Sequence, residues 1–220
     1  MDAPDVPEAA VVQTLRELET VAKRLGGYAV TLNALRQVMK SQPIKSVMDV
    51  GFGGGDSLRA VADMARKNSL ELALMGVDRN PMMARYAAET SSAYPQIRYI
   101  TADVFDDSLL AESPDVVMSS LFCHHFDDDA LVQLLQRMLR ICRCAVIVND
   151  LHRHPVAYHS IRLLTKFFSK TYLIKYDAPL SVARAFTRAD WCRILAVAGI
   201  QHYSLQWRWA WRWELIIPKQ

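Results

Sequence analysis

Two groups of residues in this 220-residue chain have the type and spacing to do chemistry. The first lies in "VMDVGFGGGDS", Val47 to Ser57, where Gly51, Gly53, Gly54 and Gly55 follow an apolar run that contains Asp49. Glycine lets a backbone approach a ligand closely and adopts positive φ readily, so this stretch reads as a binding loop. A merely tight turn is the plainer alternative. The second group is His124-His125 and His152-x-His154. Histidine is the side chain best matched to taking a proton at neutral pH, and it is also a common structural residue. His125 and His152 are the candidate bases. His152-x-His154 alone is a weak metal signal, and no metal is expected.

The elements that must position these residues follow from hydrophobic periodicity. Residues 8–25 read as an amphipathic helix stopped by Gly26-Gly27, with a second helix near 29–40. Then "IKSVMDV" reads as a strand, 55–67 as a helix, "LELALMGV" as a strand, and 80–93 as a helix that Asn80 caps with Pro81 in its first turn. "QIRYITA", "PDVVMSS" and "CAVIVND" read as further strands, with a helix at 127–141 whose first residues are acidic. Thr187 and Asp190 open one more helix, and "IQHYSLQWRWAWRWELII" ends in two strands. Alternating strands and helices predict an open, mostly parallel sheet with helices on both faces. Such sheets bind ligands at the carboxyl ends of their strands, near the point where strand order reverses. The glycines fall at the end of the first strand.

Composition bounds the possibilities. Apolar residues make up 51% and charged ones 22%, with a net charge of +3, an ordinary globular balance that does not by itself imply nucleic acid. No apolar run approaches the length of a membrane span, and "MDAPDVPEAA" lacks the features of a signal peptide, so a cytoplasmic single domain is expected. Cys123, Cys142, Cys144 and Cys192 show no metal spacing and read as reduced thiols.

The glycine pattern narrows the ligand. A dinucleotide fingerprint starting at Gly51 needs glycine where Asp56 stands, and "GGDS" lacks the lysine of a phosphate loop. What remains is Asp49, Gly51, Gly53 and Gly55 in D-x-G-x-G-x-G. This resembles the first motif of the class I S-adenosylmethionine-dependent methyltransferases. "GVDRNPMM", "ITADVFD" and "DVVMSSLFCHHFDDD" are similar to their later motifs, in the same order. The resemblance implies S-adenosyl-L-methionine as cofactor, with the glycines facing its amino acid portion. It implies Asp78 on the ribose hydroxyls, Arg79 and Met83 flanking adenine, Asp103 and the Val104 N–H on the adenine edge, and Ser119 near the methionine end. It also implies a Rossmann-like, doubly wound, seven-stranded sheet. The segments "FCHHFDDD", "VNDLHRHPVAYHSIRLLTKFF" and "DAPLSVARAFTRADW" resemble small-molecule methyltransferases of bacterial polyketide and quinone-like pathways. "VND" lacks the Asp-Asn order of the magnesium-dependent catechol type.

By this reading residues 1–43 form an amino-terminal helical cap and 44–150 the cofactor core. Residues 151–186 form a lid over the substrate, and 187–220 the last helix and two strands. Related enzymes lay such a cap over cofactor and substrate, which directs Tyr28 toward the pocket. In the lid, His159, Arg162, Lys166 and Lys170 share one helix face, and Ala157, Ile161, Leu164 and Phe168 lie opposite, covering the sheet's mouth. The basic face suits water, an anionic substrate or an acidic membrane surface. The expected activity is methylation of a small aromatic or polyketide-like hydroxyl, with no nucleic-acid partner. Two alternatives stand beside it. An RNA methyltransferase would use the basic lid and the alternating Trp207, Trp209, Trp211 and Trp213. A non-catalytic S-adenosylmethionine-binding protein would keep the glycines and Asp78 and dispense with the histidines. Substrate and oligomeric state are not legible.

Overall fold

The computed structural model describes residues 7–169 and 171–219. Lys170 and the Phe168 side chain, both placed by the helical reading of the lid, lie outside what is described. The strands are β1 (Ser46–Val50), β2 (Ala73–Asp78), β3 (Ile97–Thr101), β4 (Val116–Ser120), β5 (Ala145–Leu151), β6 (Ser204–Arg208) and β7 (Arg212–Pro218). They form one sheet of order β3-β2-β1-β4-β5-β7-β6. The first five run parallel, and β7 is antiparallel to both β5 and β6. Strand order reverses at β1, which lies between β2 and β4, so the carboxyl ends of these strands form the crevice where such folds bind ligands.

The helices are α1 (Glu8–Arg24), α2 (Gly27–Ser41), α3 (Asp56–Lys67), α4 (Pro81–Thr90), α5 (Asp128–Ile141), α6 (Pro155–Phe168), α7 (Tyr172–Arg184) and α8 (Arg188–Val197). Strands β1, β4 and β5 are buried along nearly their whole length because helices cover both faces. Leu131, Leu134 and Met138 of α5 and Trp191 and Ile194 of α8 fill one side. Val11, Leu35, Leu58 and Ala87 of α1 to α4 fill the other. Local chemistry sets several helix starts. Asn80 Oδ1 accepts the Met82 N–H with Pro81 following, Asp127 Oδ1 accepts the Ala130 N–H, and Thr187 and Asp190 form a reciprocal capping box. Helix α2 begins at Gly27, two residues before the predicted start, directly after Gly26 takes a left-handed φ of 67°.

The insertion after β5 is two helices, α6 and α7, packed on each other. His159, Arg162 and Lys166 are exposed as expected. Leu164, expected on the covered side, is instead exposed, as are Leu163 and Phe167. Helix α6 packs chiefly on α7, so the strip it buries is narrow and centres on Ala157 and Thr165. At the tail, Trp207 pairs with Trp213 across β6 and β7, with Trp213 buried and Trp207 and Trp209 exposed. No described helix is long and apolar enough to cross a membrane.

Candidate active site

The three motif glycines answer to different demands. A Cβ on Gly51 would stand 2.4 Å from the Phe122 ring, and one on Gly55 would stand 2.5 Å from the Tyr99 hydroxyl, so both are glycine because the protein itself crowds them. A Cβ on Gly53 would meet nothing within 4 Å, although its φ of +52° disfavours any side chain. Gly53 is therefore the glycine that borders open space. Below it, Asp49 at the end of β1 is 1% exposed, and neither carboxylate oxygen has a hydrogen-bond partner among the described residues. Burial, with the charges of Asp56 and Asp78 nearby, pushes its carboxyl well above the usual range. A buried carboxylate without a donor is expensive. A cationic group placed over the glycines, such as the ammonium of the cofactor's amino acid portion, is the kind of partner that would satisfy it.

The loop is braced from outside. Arg59, buried on α3, donates to the Gly54 carbonyl at 2.8 Å and pairs with Glu19 of α1 at 3.2 Å. Tyr28 donates to Asp56 at the first turn of α3 at 2.6 Å, so the cap is tied directly to the glycine loop. Burial and the Asp56 charge push the Tyr28 phenol up, which keeps it a donor.

Backbone N–H groups hold the carboxylates that follow. Asp78 Oδ2 accepts from the Gly53 N–H at 3.2 Å and Oδ1 from the Asn80 N–H at 2.9 Å. Asp103 is exposed and accepts the Phe105 N–H at 2.9 Å. Val104 is buried, with its carbonyl held by Arg137 of α5, which also reaches Asp107 and the Asp106 carbonyl. Arg79 is exposed and Met83 is buried in the core against α4's neighbours. Ser119 is buried near the end of β4, with no hydrogen bond of normal geometry among the described residues.

The histidines of the His124-His125 and His152-x-His154 groups separate into four situations. His154 caps α6, its Nδ1 accepting from the Val156 N–H at 3.2 Å. His125 is exposed on the loop after β4. His124 is buried, with Nδ1 2.7 Å from Asp150 Oδ1 at the end of β5. Burial alone would raise the Asp150 carboxyl, but the His124 ring and the N–H groups of Leu151 and His124 outweigh it and hold it below its usual value. An ionised Asp150 accepts from Nδ1–H, which leaves Nε2 as the basic nitrogen of that ring. His152 packs its ring 4.9 Å from Trp213, and its Nδ1 is buried with no partner among the described residues. Burial and neighbouring His154 hold its pKa below the ordinary value. Among the described residues no group of three or more His, Cys, Asp or Glu side chains could hold a metal ion.

The sequence reading missed Asp150, Arg59 and Arg137, which act through partners 26 to 33 residues away or through a helix the motif does not contain. Their one signal is a charged residue in an otherwise buried stretch, which does not name its partner.

The sequence model of the family described as "Methyltransferase domain" matches residues 47–145. No curated protein sequence matches the chain. Solved structures do. Human N-acetylserotonin methyltransferase in complex with S-adenosylmethionine superposes with a TM-score of 0.69 at 19% identity over 97% of this chain. This chain spans 56% of that enzyme's length. The plantazolicin methyltransferase BpumL in complex with S-adenosylhomocysteine gives 0.69 at 15% identity, covering 97% of this chain and 95% of its own. Magnesium protoporphyrin IX methyltransferase from Synechocystis gives 0.57 at 17% identity, covering 91% and 87%. Residues 47–145 are thus a methyltransferase domain, in a chain with the fold of the class I S-adenosylmethionine-dependent methyltransferases.

Proposed function

We propose that this class I methyltransferase uses S-adenosylmethionine to methylate a small molecule, at a hydroxyl of an aromatic or polyketide-like acceptor. The residues present fit the cofactor: a buried carboxylate at Asp49 with no donor among the described residues, and open space above Gly53. The cofactor supplies an electrophilic methyl group on sulfur. The chain's own task is then to align the acceptor and to take its proton. Asp49 and the Gly53 backbone hold the amino acid portion, Asp78 the ribose, and Arg79, Met83, Asp103 and Val104 the adenine, with Ser119 toward the sulfur end. The relatives named for small-molecule acceptors support a small substrate.

The observation that carries the hydroxyl acceptor is His152 Nδ1, buried just past the end of β5 without a hydrogen-bond partner among the described residues. A lowered pKa keeps that ring neutral at neutral pH, so it accepts a proton from a donor placed beside it. A phenol, with pKa of about 10, gains from such a base. The 2.7 Å contact between His124 and Asp150 favours a second reading, in which His124 Nε2 takes the proton and the carboxylate stabilises the ring as it charges. Rate against pH for the wild type, His152→Ala and His124→Ala on one accepted phenol separates the two. The true base loses turnover and regains it at alkaline pH, where the phenol ionises unaided. A loss in neither variant overturns the hydroxyl assignment, and failure of S-adenosylmethionine to bind overturns the cofactor.

A further inference from the structure

The insertion after β5 carries an apolar stripe in solvent. Val156, Leu163 and Phe167 of α6 are 50%, 59% and 69% exposed. At 3.6 residues per turn they fall within about 40° of one another around the helix axis. Exposed Leu164 borders the stripe on one side. His159, Arg162 and Lys166 are exposed along the other, about 60–120° from Val156 around the axis. The strip that α6 buries, centred on Ala157 and Thr165, is a different one. Helix α7, packed on α6, adds Tyr172 and Tyr176, exposed one turn apart, with exposed Lys175 beside them.

Scattered exposed apolar residues are ordinary, but a row along one helix face with cations at its rim marks a surface that something covers. The charges say what. Between Asp150 and Asp177 the chain contains no Asp or Glu. Lys166 Nζ lies 5.8 Å from the centre of the Phe167 ring, so charge and apolar surface adjoin. Glu17 of α1 meets α6 at its C-cap, accepting from Ser169 Oγ at 2.6 Å, two residues past Phe167. A two-fold contact with a second copy would set this basic rim against itself. Protein partners favour interface cores poor in lysine. An anionic bilayer surface suits both features: apolar side chains enter the acyl boundary while long basic side chains reach the headgroups.

We infer that α6, with α7 beside it, is a docking surface for a membrane rich in anionic lipid. Helix α6 lies in the plane of the headgroups, with Val156, Leu163 and Phe167 inserted and Arg162, Lys166 and Lys175 drawn to the lipid charge. The contact is peripheral, because α6 has 14 residues and is too short to cross a bilayer. It stands independently of the proposed acceptor, since none of these side chains belongs to the cofactor or base groups.

Co-sedimentation of the full chain with two kinds of vesicle tests this: phosphatidylcholine alone, and an equal mixture of phosphatidylcholine and phosphatidylglycerol. At low salt the wild type should partition onto the mixed vesicles roughly a hundredfold more strongly, the effect of three basic side chains at an anionic surface. Molar salt should remove most of that excess. Leu163→Ser/Phe167→Ser should lose most of the binding with circular dichroism unchanged. Arg162→Gln/Lys166→Gln should lose most of the preference for the anionic lipid. Unchanged partition onto the mixed vesicles in either folded variant places the lipid elsewhere on the surface and overturns the inference. Equal partition of the wild type onto both vesicles, or onto neither at millimolar lipid, overturns it as well. Light scattering that shows a dimer dissociated by Leu163→Ser/Phe167→Ser would assign the face to a second copy instead. The two double variants remove different chemistry from exposed positions, so loss of the fold in one leaves the other to decide.

Discussion

On the β1–β3 side, the candidate binding groups are held by backbone close at hand. Asp78 takes the N–H of Asn80 two residues on, Asp103 takes that of Phe105, and Gly53 borders open space by its own conformation. On the β4–β5–β7 side, side chains hold one another across long stretches of chain. His124 meets Asp150, Asn149 meets Thr31 on α2, and Arg212 reaches Gly27. The first arrangement suits a ligand with invariant parts, because backbone donors and strand-end acids recur with the fold. The second suits an acceptor particular to this chain, because each contact depends on which side chains the strand order and the amino-terminal helices bring together.

If the two sides are separable, each can be broken alone. The largest effect should come from His152→Ala, lowering kcat by roughly 10²–10⁴ with cofactor affinity unchanged. Alkaline pH should restore part of it. In the wild type the base form persists as pH falls past the ordinary histidine value of 6.5, because the folded pKa lies below it. Activity should therefore hold through that value and drop only at lower pH. A rise in KM with no alkaline recovery would make His152 a structural residue of the lid and blur the division.

Gly53→Val is the matching break on the other side. It forces a branched side chain into a φ of +52° and into open ligand space, so cofactor affinity should fall by about 3 kcal/mol, roughly a hundredfold, while circular dichroism stays native. Tight binding by a folded variant would reduce the loop to a turn. Asp78→Ala should weaken the cofactor by about 1–3 kcal/mol through loss of hydrogen bonds to a charged acceptor. Calorimetry showing unchanged affinity would remove Asp78 from the site.

The smallest effect sharpens the comparison through stability. The Asp49 carboxyl lies well above its ordinary 3.8 in the folded state. Above that value the unfolded chain ionises while the folded one resists, so stability falls as pH rises toward the folded pKa. Asp49→Asn should therefore melt about 2–4 °C higher than wild type near neutral pH, the shift that about 1 kcal/mol produces in a chain this size. The gain should vanish near pH 3.8, and cofactor affinity should drop. A variant less stable than wild type at neutral pH would mean that Asp49 has a donor in the folded protein.

The sequence by itself determined whatever closes over a few residues or repeats with a period. Asn80 and Thr187 cap helices because the backbone N–H groups they accept from lie two and three positions ahead. The strands show as apolar runs because both sheet faces are covered, and Asp49, Asp78 and Asp103 show as acids where those runs end. Tertiary structure decided the rest. It separated Gly53 from Gly51 and Gly55, since only packing reveals that Phe122 and Tyr99 crowd the other two. It exposed Leu164, which helical spacing puts on the covered side, because α6 leans on α7. It chose Asp150 as the partner of His124 and left Arg212 facing the start of α2. Spacing reports the face of a helix or strand, but which side chain lies across from it depends on strand order and helix packing that no local pattern encodes.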